Sequence, residues 1–518
     1  MKPVRRVKAI TGQPPRIGAS FGESPHFGAS YTAKEMANWS ASSGSADADL
    51  LSDLPTLRNR SRDLERNHGI AHGGIQTLLD NIVGTGLRLS SVPDYRALGW
   101  TKEQAEEWSR NVESLWRSFA DTRECDIAGQ LNFHGQTTQV FRSALLNGEA
   151  LALPLWRPGD GKFSTKLQLI EPDRLSNPYD GPDSEYRRGG IEIDKYGKPV
   201  AYWIRNAHPG DVFWLTGSPA GAWTRIPATM RWGRSRVIHS HDKERTGQSR
   251  GKPILSAVIP QFKMLDHYQR TELQAAVVNA MIAAFIETPL DSASVTELLG
   301  GDINSQQYQD YLSMQGQYVA PLRGAAIIPT LPGQQIKPFL PSRPADAFAP
   351  FTEAVIRHIG AGIGLPYELL LKDFSKTNYS SARAALLEAW RFFMGRREWL
   401  SRYWCEPVYC LWLEEVINAG LVKAPDFYTN QYAYCRSKWI GPGRGWVDPV
   451  KEAQAAQIRM ESGISTLERE CAEQGTDWEE NLEQIAREQN RIKELGVSLG
   501  KFVPVQHEAQ QQEGFVAA

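Results

Sequence analysis

The spacing of apolar positions changes several times along the chain, and each change marks an element. From 54 to 89 the period is helical. Leu64 and Ile70 sit among Asp63, Arg66 and His68; Ile75, Leu78, Leu79, Ile82 and Val83 then recur at helical spacing until Gly84-Thr85-Gly86 stops the helix. Residues 101–120 predict a second amphipathic helix, opened by Thr101 with Glu103 and Glu106 in its first turns. From about 138 to 240 the reading becomes mixed strand and helix. Glu149–Trp156, 167–170 and 236–240 read as strands, and 190–204 as a hairpin turning near Tyr196-Gly197. This region is α+β.

A long helix is expected over 254–287, with Pro260 near its start; from Gln261 to Glu287 it would span about 40 Å. Its first half carries Lys263, Asp266, Arg270 and Glu272. Its second half, with Ala275, Ala276, Val278, Ala280, Ala283 and Ala284, is small and apolar on nearly every side. Such a helix must be enclosed, either by its own chain's core or by identical neighbours. Residues 288–344 are loop-rich, with proline at 329, 332, 338, 341 and 344; 325–328 and 336–339 read as a small hairpin around Pro332-Gly333. Another helix starts near Ala345 and runs to Gly360 or Gly362. After a polar loop at 365–381, Ser380 or Ser381 caps a helix from Ala382 to about Gly420, with Leu386, Trp390, Phe393, Leu400, Trp404, Val408 and Leu411 as its stripe and a kink expected at Pro407. Two more amphipathic helices are expected at 449–462 and 476–495.

The 518 residues carry 58 Lys+Arg against 59 Asp+Glu, so any surface that meets nucleic acid must be local. The charge is unevenly spread. The first 16 residues hold five cations and no acid, at the head of a Gly/Ser/Ala/Pro-rich stretch to about residue 50 that reads as an arm, mobile or ordered only against a partner. From Val447 onward, 14 acids face 7 bases. The longest uncharged apolar stretch, 273–286, is 14 residues long and falls short of the ~20 a membrane span needs. The N-terminus lacks the apolar run of a signal peptide. Five cysteines without a CxxC read as reduced thiols.

Enzyme-like patterns fail on context. Gly18-Ala-Ser-Phe-Gly22 lies in the arm, not on the strand-to-helix turn a nucleophile needs. Gly247-Gln-Ser-Arg-Gly251-Lys252-Pro253 is one residue short for a phosphate loop and has proline where the Mg²⁺-binding hydroxyl belongs. His239 and His241 should share one face of a strand, but no third His or Cys lies nearby in sequence; His68 and His72 lack an acidic companion at metal-motif spacing.

With no catalysis demanded, the order of short runs is the informative feature. These are Arg62-Asp-Leu-Glu-Arg-Asn67, Asp80-Asn-Ile-Val-Gly84-Thr-Gly86, Glu171-Pro-Asp-Arg174 and Gly247-Gln-Ser-Arg-Gly251. Then come Gly364-Leu-Pro-Tyr-Glu-Leu-Leu370, Asn378-Tyr-Ser-Ser-Ala-Arg383, Trp390-Arg391, Val447-Asp-Pro-Val-Lys-Glu-Ala453 and Glu473-Gln-Gly475. In this order the chain resembles the portal protein family of tailed bacteriophages, in its lambda-like branch, over most of 60–496. The resemblance implies an α+β portal fold with a mixed α/β wing, a long helical stem, a small α/β clip and a helical C-terminal crown. Carried onto this chain, it places an arm at 1–54, the wing at 55–250, a stem helix at 251–287, the clip at 288–344 and a second stem helix at 345–364. A tunnel loop follows at 365–381, the wing helix and its return at 382–440, and the acidic crown and tail at 441–518.

The resemblance further implies a homo-oligomeric ring, usually of twelve copies, at one capsid vertex, through which double-stranded DNA passes during packaging and ejection. The terminase large subunit would dock on the clip; major capsid protein or scaffold and head-completion or adaptor proteins are further partners. No membrane, cofactor, metal or catalytic residue is implied. Lys372, Ser375, Lys376, Thr377 and Asn378 would touch the DNA backbone transiently and without reading sequence. Ala275, Ala276, Val278, Ala280, Ala283 and Ala284 would pack between copies in the stem, and Arg323, Lys337 and Phe339 would belong to the clip. The protein would reside at the portal vertex of the virion, and in the host cytoplasm before assembly. Two other classes stand beside this one: a capsid structural or scaffold protein without a channel, and an α+β hydrolase using the His239/His241 region.

Overall fold

The computed structural model describes residues 27–30, 34–36, 38–39, 41, 43–211, 222–281, 285–287, 306, 335–337, 348–445 and 448–496. Helix α1 (Ala46–Leu50) begins at Ser45, whose hydroxyl accepts from the Ala48 amide. Its Asp47 is buried and accepts from the Ser249 amide (2.7 Å) and hydroxyl (2.8 Å), so the chain is docked from here, within the stretch expected to be an arm. Helices α2 (Leu54–Asn67) and α3 (Gly69–Ile82) divide the expected single helix at His68, which takes extended backbone and sets its ring edge-on to Phe262 at 4.9 Å. Past Gly84, β1 (Arg88–Ser91) and the short α4 (Tyr95–Leu98) lead to α5 (Lys102–Ala120). The last opens in a capping box between Thr101 and Gln104 and buries Trp108, Val112, Trp116 and Phe119. Periodicity does not separate α6 (Phe133–Asn147) from the mixed region, because buried Gln136 and Thr137 interrupt its apolar face. Thr137 is satisfied there, donating to Phe133 O (2.8 Å) and accepting from Trp404 Nε1 (3.0 Å).

Strands β2 (Glu149–Trp156) and β3 (Thr165–Ile170) pair antiparallel. A second antiparallel sheet contains, in order, β4 (Arg187–Arg188), β5 (Ile191–Ile193), β6 (Pro199–Arg205) and β7 (Trp223–Pro227); β8 (Ile238–His241) returns to the other side of β2. The β5–β6 turn falls where expected. Asp194 Oδ1 accepts from the amides of Tyr196 and Lys198, both at 2.8 Å, and Gly197 takes φ +82°. Strand β2 is apolar on both faces because it has a core on each side. Ala150 and Ala152 join the large helical core; Leu151 and Leu153 join a smaller one with Ile170, Ile191, Tyr202 and Ile204.

Helix α7 (Ile259–Met281) carries Pro260 in its first turn, where the missing N–H has no intrahelical partner to lose. It stops short of the expected Glu287. Phe285 and Ile286, ahead of Pro289, favour extended backbone, and β9 (Phe285–Glu287) pairs with β10 (Gln335–Lys337), Ile286 opposite Ile336. Ile336 pairs with β9; its expected partner run, 325–328, lies outside the described residues. Helix α8 (Phe348–Ile363) runs back beside α7: Gln261 meets His358 at 3.4 Å, and Tyr268 packs on Phe351 at 5.0 Å.

After α9 (Tyr367–Leu371), α10 (Tyr379–Leu400) joins α11 (Glu406–Asn418) through a π-helical turn at Ser401–Cys405. This turn stands where a kink is expected. Pro407 cannot donate to the Tyr403 carbonyl, which accepts from Ser240 Oγ at 2.7 Å instead. Gly420 (φ +73°) follows the helix end. After α12 (Gln431–Tyr434), β11 (Ser437–Ile440) pairs with β1. The acidic end contributes α13 (Pro449–Glu461), α14 (Leu467–Glu473) and α15 (Trp478–Leu495); the first and last match the two expected helices. Among the described residues no helix is long and apolar enough to cross a membrane.

Candidate nucleic-acid interface

The segment between α8 and α10 is positioned by tight backbone packing. Gly364 takes φ +76°, and a Cβ there would meet the Phe392 ring at 2.9 Å. The Leu365 amide bonds Gly360 O at 2.9 Å, turning the chain so that α9 lies on α3. Gly74 allows that contact; a Cβ there would meet Leu370 Cδ1 at 2.9 Å. Lys372 ends α9 in the left-handed region (φ 57°), an uncommon conformation for a residue with a Cβ. The Asp373 carboxylate accepts from the Ser375 amide at 2.9 Å, and hydrogen bonds from Ser375 hold that carboxyl below its usual range. The Thr377 amide bonds Phe374 O at 3.2 Å. Asn378 Oδ1 accepts from the Ser381 amide at 2.8 Å, so Asn378 caps α10, not the expected Ser380 or Ser381.

The five expected loop residues thus lie together on one short turn. Lys372, Ser375, Lys376 and Asn378 are exposed and Thr377 is half-buried. Lys376 is not free. Its Nζ lies 3.2 Å from Glu353 Oε2 on α8, and Arg357 holds the same carboxylate at 2.6 Å. Glu353 is the residue sequence reading misses here, because its partner lies 23 positions away. The exposed face continues into α10 with Ser381, Arg383, Ala384 and Leu387. From 372 to 391 there are four cations and two acids, a local positive balance on a near-neutral chain.

In α7, Ala275 and Ala276 are half-buried beside Leu273, which is 67% exposed, and Val277, also exposed. Val278 and Ala280 lie on the same helix and Lys337 in β10, with their side chains outside the described residues; Ala283, Ala284, Arg323 and Phe339 lie wholly outside them.

His239 and His241 share one face of β8 and stack at 4.3 Å. They adjoin a buried ionic hub. Glu149, fully enclosed, accepts from Arg58 (2.7 Å), Arg250 (2.8 Å), His239 Nε2 (3.0 Å) and the Gly251 amide (3.1 Å). Burial alone would raise the Glu149 pKa, but Arg250, Arg58 and His239 outweigh it and hold the carboxylate well below its usual range. Arg250 also serves the carbonyls of Leu175 and Pro172, and Arg62 pairs with Asp173. Three of the sequence runs, 62–67, 171–174 and 247–251, therefore meet in one structural network. Glu171, Asp173 and His208 have ligand atoms within 4.8 Å of one another, but Arg62 and Arg58 already neutralise Asp173.

A profile of the phage portal protein, lambda family, matches residues 32–397. The chain is 34% identical over 480 residues to portal protein B of Escherichia phage lambda, covering 89% of each, and 33% identical over 510 residues to the portal protein of Escherichia phage N15, covering 93% of this chain and 94% of the relative. A probable portal protein of Halomonas phage phiHAP-1 is 26% identical over 467 residues, covering 89% of this chain and 85% of the relative. Among solved structures, a chain from the virion of a native gene transfer agent particle aligns at 15% identity and a TM-score of 0.46, covering 82% of this chain and 93% of that one.

Proposed function

Since the chain belongs to the lambda family of phage portal proteins, we propose that it assembles as a ring, of twelve copies on the family pattern, at one vertex of the capsid. Double-stranded DNA passes through its centre during packaging and ejection. The chain waits in the host cytoplasm before assembly and resides afterwards in the virion. Its partners are further copies of itself, DNA bound without sequence preference, the terminase large subunit, major capsid protein or scaffold, and a head-completion or adaptor protein.

The observation that carries the channel reading is the exposed, net-positive turn at 372–378, continuous with the exposed start of α10 and tied to α8 by Glu353. A conduit must let the duplex slide, so each phosphate contact has to break as readily as it forms. Lys376 meets that requirement. Lys376 is 70% exposed although its partner Glu353 is half-buried, and an ion pair with one end in solvent is worth about 1 kcal/mol, so a passing phosphate can take the ammonium and Glu353 can recover it. Lys372 adds a second cation, and Ser375 and the Asn378 amide group add weak hydrogen bonds. Exposed Leu273 and Val277 beside Ala275 and Ala276 on α7 support a stem whose enclosure comes from neighbouring copies.

Replacing Lys372 and Lys376 with Ala is expected to leave ring assembly intact and to reduce DNA packaging or retention, measured as nuclease-protected DNA per particle. Unchanged packaging would count against the turn as a DNA contact. Deleting 291–340 is expected to spare the wing and abolish terminase docking, measured by co-sedimentation; retained docking would refute the clip assignment.

A further inference from the structure

Two unlike surfaces lie beside α5, and each lacks what the other offers. The first is a cationic aromatic knob. Residues 228–236 form a tight hairpin, closed by the bonds from the Met230 amide to Arg234 O (2.7 Å) and from the Arg236 amide to Ala228 O (2.9 Å). Its tip carries exposed Arg231 and Trp232, the latter 65% accessible. Arg234 fixes the hairpin in place: it donates to Thr165 Oγ1 (3.1 Å), pairs with Glu414 and lies over the Trp156 ring at 5.7 Å. Trp156 is itself 56% exposed. Arg157, Lys162, Arg231 and Arg236 form no ion pair among the described residues, and Asp160 is the acid in the adjoining turn. Lys162 Nζ reaches Ser118 Oγ at 3.3 Å, placing this turn by the C-terminal end of α5.

The second surface is a groove of about 780 Å³ that runs along α5 from Trp100 and Gln104 past Trp108 to Leu115, with Leu421 and Val422 on its other wall. Leu421 is half exposed. Exposed Glu103 and Glu107 stand on the same helix and form no ion pair among the described residues, while Lys423 partly offsets them. Arg234 anchors the knob to β3 and α11, so its position relative to the groove of its own molecule is fixed.

We propose that the Trp156/Trp232 knob of one copy docks in the Trp100/Leu421 groove of the next, with Arg157 and Arg231 facing Glu103 and Glu107. Tryptophan and arginine dominate interface energetics once water is excluded. Opposite charges set the register. A contact between two different patches on identical molecules propagates head to tail and closes into a ring when the rotation permits. The contact rests on the ring reading above and names its wing interface.

The test is a charge-swap cycle on the full chain, read as the mass distribution by light scattering over a concentration series, with thermal melts as the folding control. Arg157→Glu with Arg231→Glu, and separately Glu103→Arg with Glu107→Arg, should each raise the concentration for half-assembly roughly tenfold or more. The fourfold combination should restore assembly toward the parent. Trp232→Ala, at an exposed turn with no core to disturb, should reproduce the loss. Paired variants that melt normally and assemble like the parent, or a combination that fails to restore, would overturn the contact while leaving the ring reading in place. A parent chain that stays monomeric at every concentration would overturn both.

Discussion

Glu149 shows that part of this protein's charge pairing is internal. Its carboxylate is the counter-charge for two buried guanidiniums, and burial draws Arg58 down to about 10. Glu149→Gln would leave both without a full partner, and should destabilise the fold by about 3–5 kcal/mol in chemical denaturation. A depressed folded pKa means that the contribution is present at neutral pH and is lost as acid carries the pH down through that value. His241, stacked on His239, has both ring nitrogens buried without hydrogen-bond partners, and burial pushes its pKa down to about 3. The unfolded chain therefore takes up the proton first, between about pH 6.5 and 3, and acid costs stability across that window. His241→Phe removes that uptake. The variant should lose about 2 kcal/mol less than the parent on going from pH 7 to 5, measured by thermal melts; equal losses would contradict the assignment. Sequence reading set the two histidines on one strand face, as they are in β8, but could not find the hub. Arg58, Glu149 and Arg250 are nearly 100 positions apart at their closest spacing to Glu149, and only the fold brings them together.

Elements with strong periodicity were readable, and those with a competing demand were not. The spans of β2, α5 and α13 follow their patterns closely; β2 and α5 place their apolar residues where a core needs them, while α13 leaves Val450 and Ile458 exposed. Helix α6 hides behind two buried polar residues, and α7 stops early because strand pairing takes Phe285–Glu287. The β1–β11 pairing joins residues some 350 apart, beyond any local signal. Arg397 shows what such long joins require. Its buried guanidinium donates to the carbonyls of Asn81 (2.9 Å), Ile82 (3.2 Å) and Pro442 (3.0 Å), tying α10 to the end of α3 and the chain after β11, and burial lowers its pKa to about 10. The packing of α15 on α5 is less settled electrostatically. Burial raises Glu113 to about 7 against the Ser91 amide bond, with Asp477 and Glu479 adding to the rise and Arg117 opposing it. A raised folded value means that stability is fully present below the ordinary carboxylate range and is lost as pH rises from there through about 7. Glu113→Gln should therefore stabilise the chain by about 2–3 kcal/mol at pH 8 and much less at pH 5, as judged by melts at the two pH values.

At the scale of the whole molecule, the single chain leaves several surfaces that ask for company. Leu273 and Val277 stand exposed on α7, Trp156 at the end of β2, Trp232 on the 228–236 hairpin, and Val450, Ile458 and Ile485 on the acidic helices. The proposed ring of copies would give these surfaces a reason, and the positive turn at 372–378 would face its lumen. The order of short runs pointed to the family from the sequence. The runs themselves proved to be largely joints of the fold: Gly84 against Pro442, Gly475 against Gly443, Arg250 on Glu149. The most direct test is the mass and image of the purified full chain. Twelve copies of the 57.9 kDa chain would give about 695 kDa, and negative-stain images should show rings with a central hole wide enough for a duplex. A 57.9 kDa particle without a hole, at every concentration tried, would contradict the account.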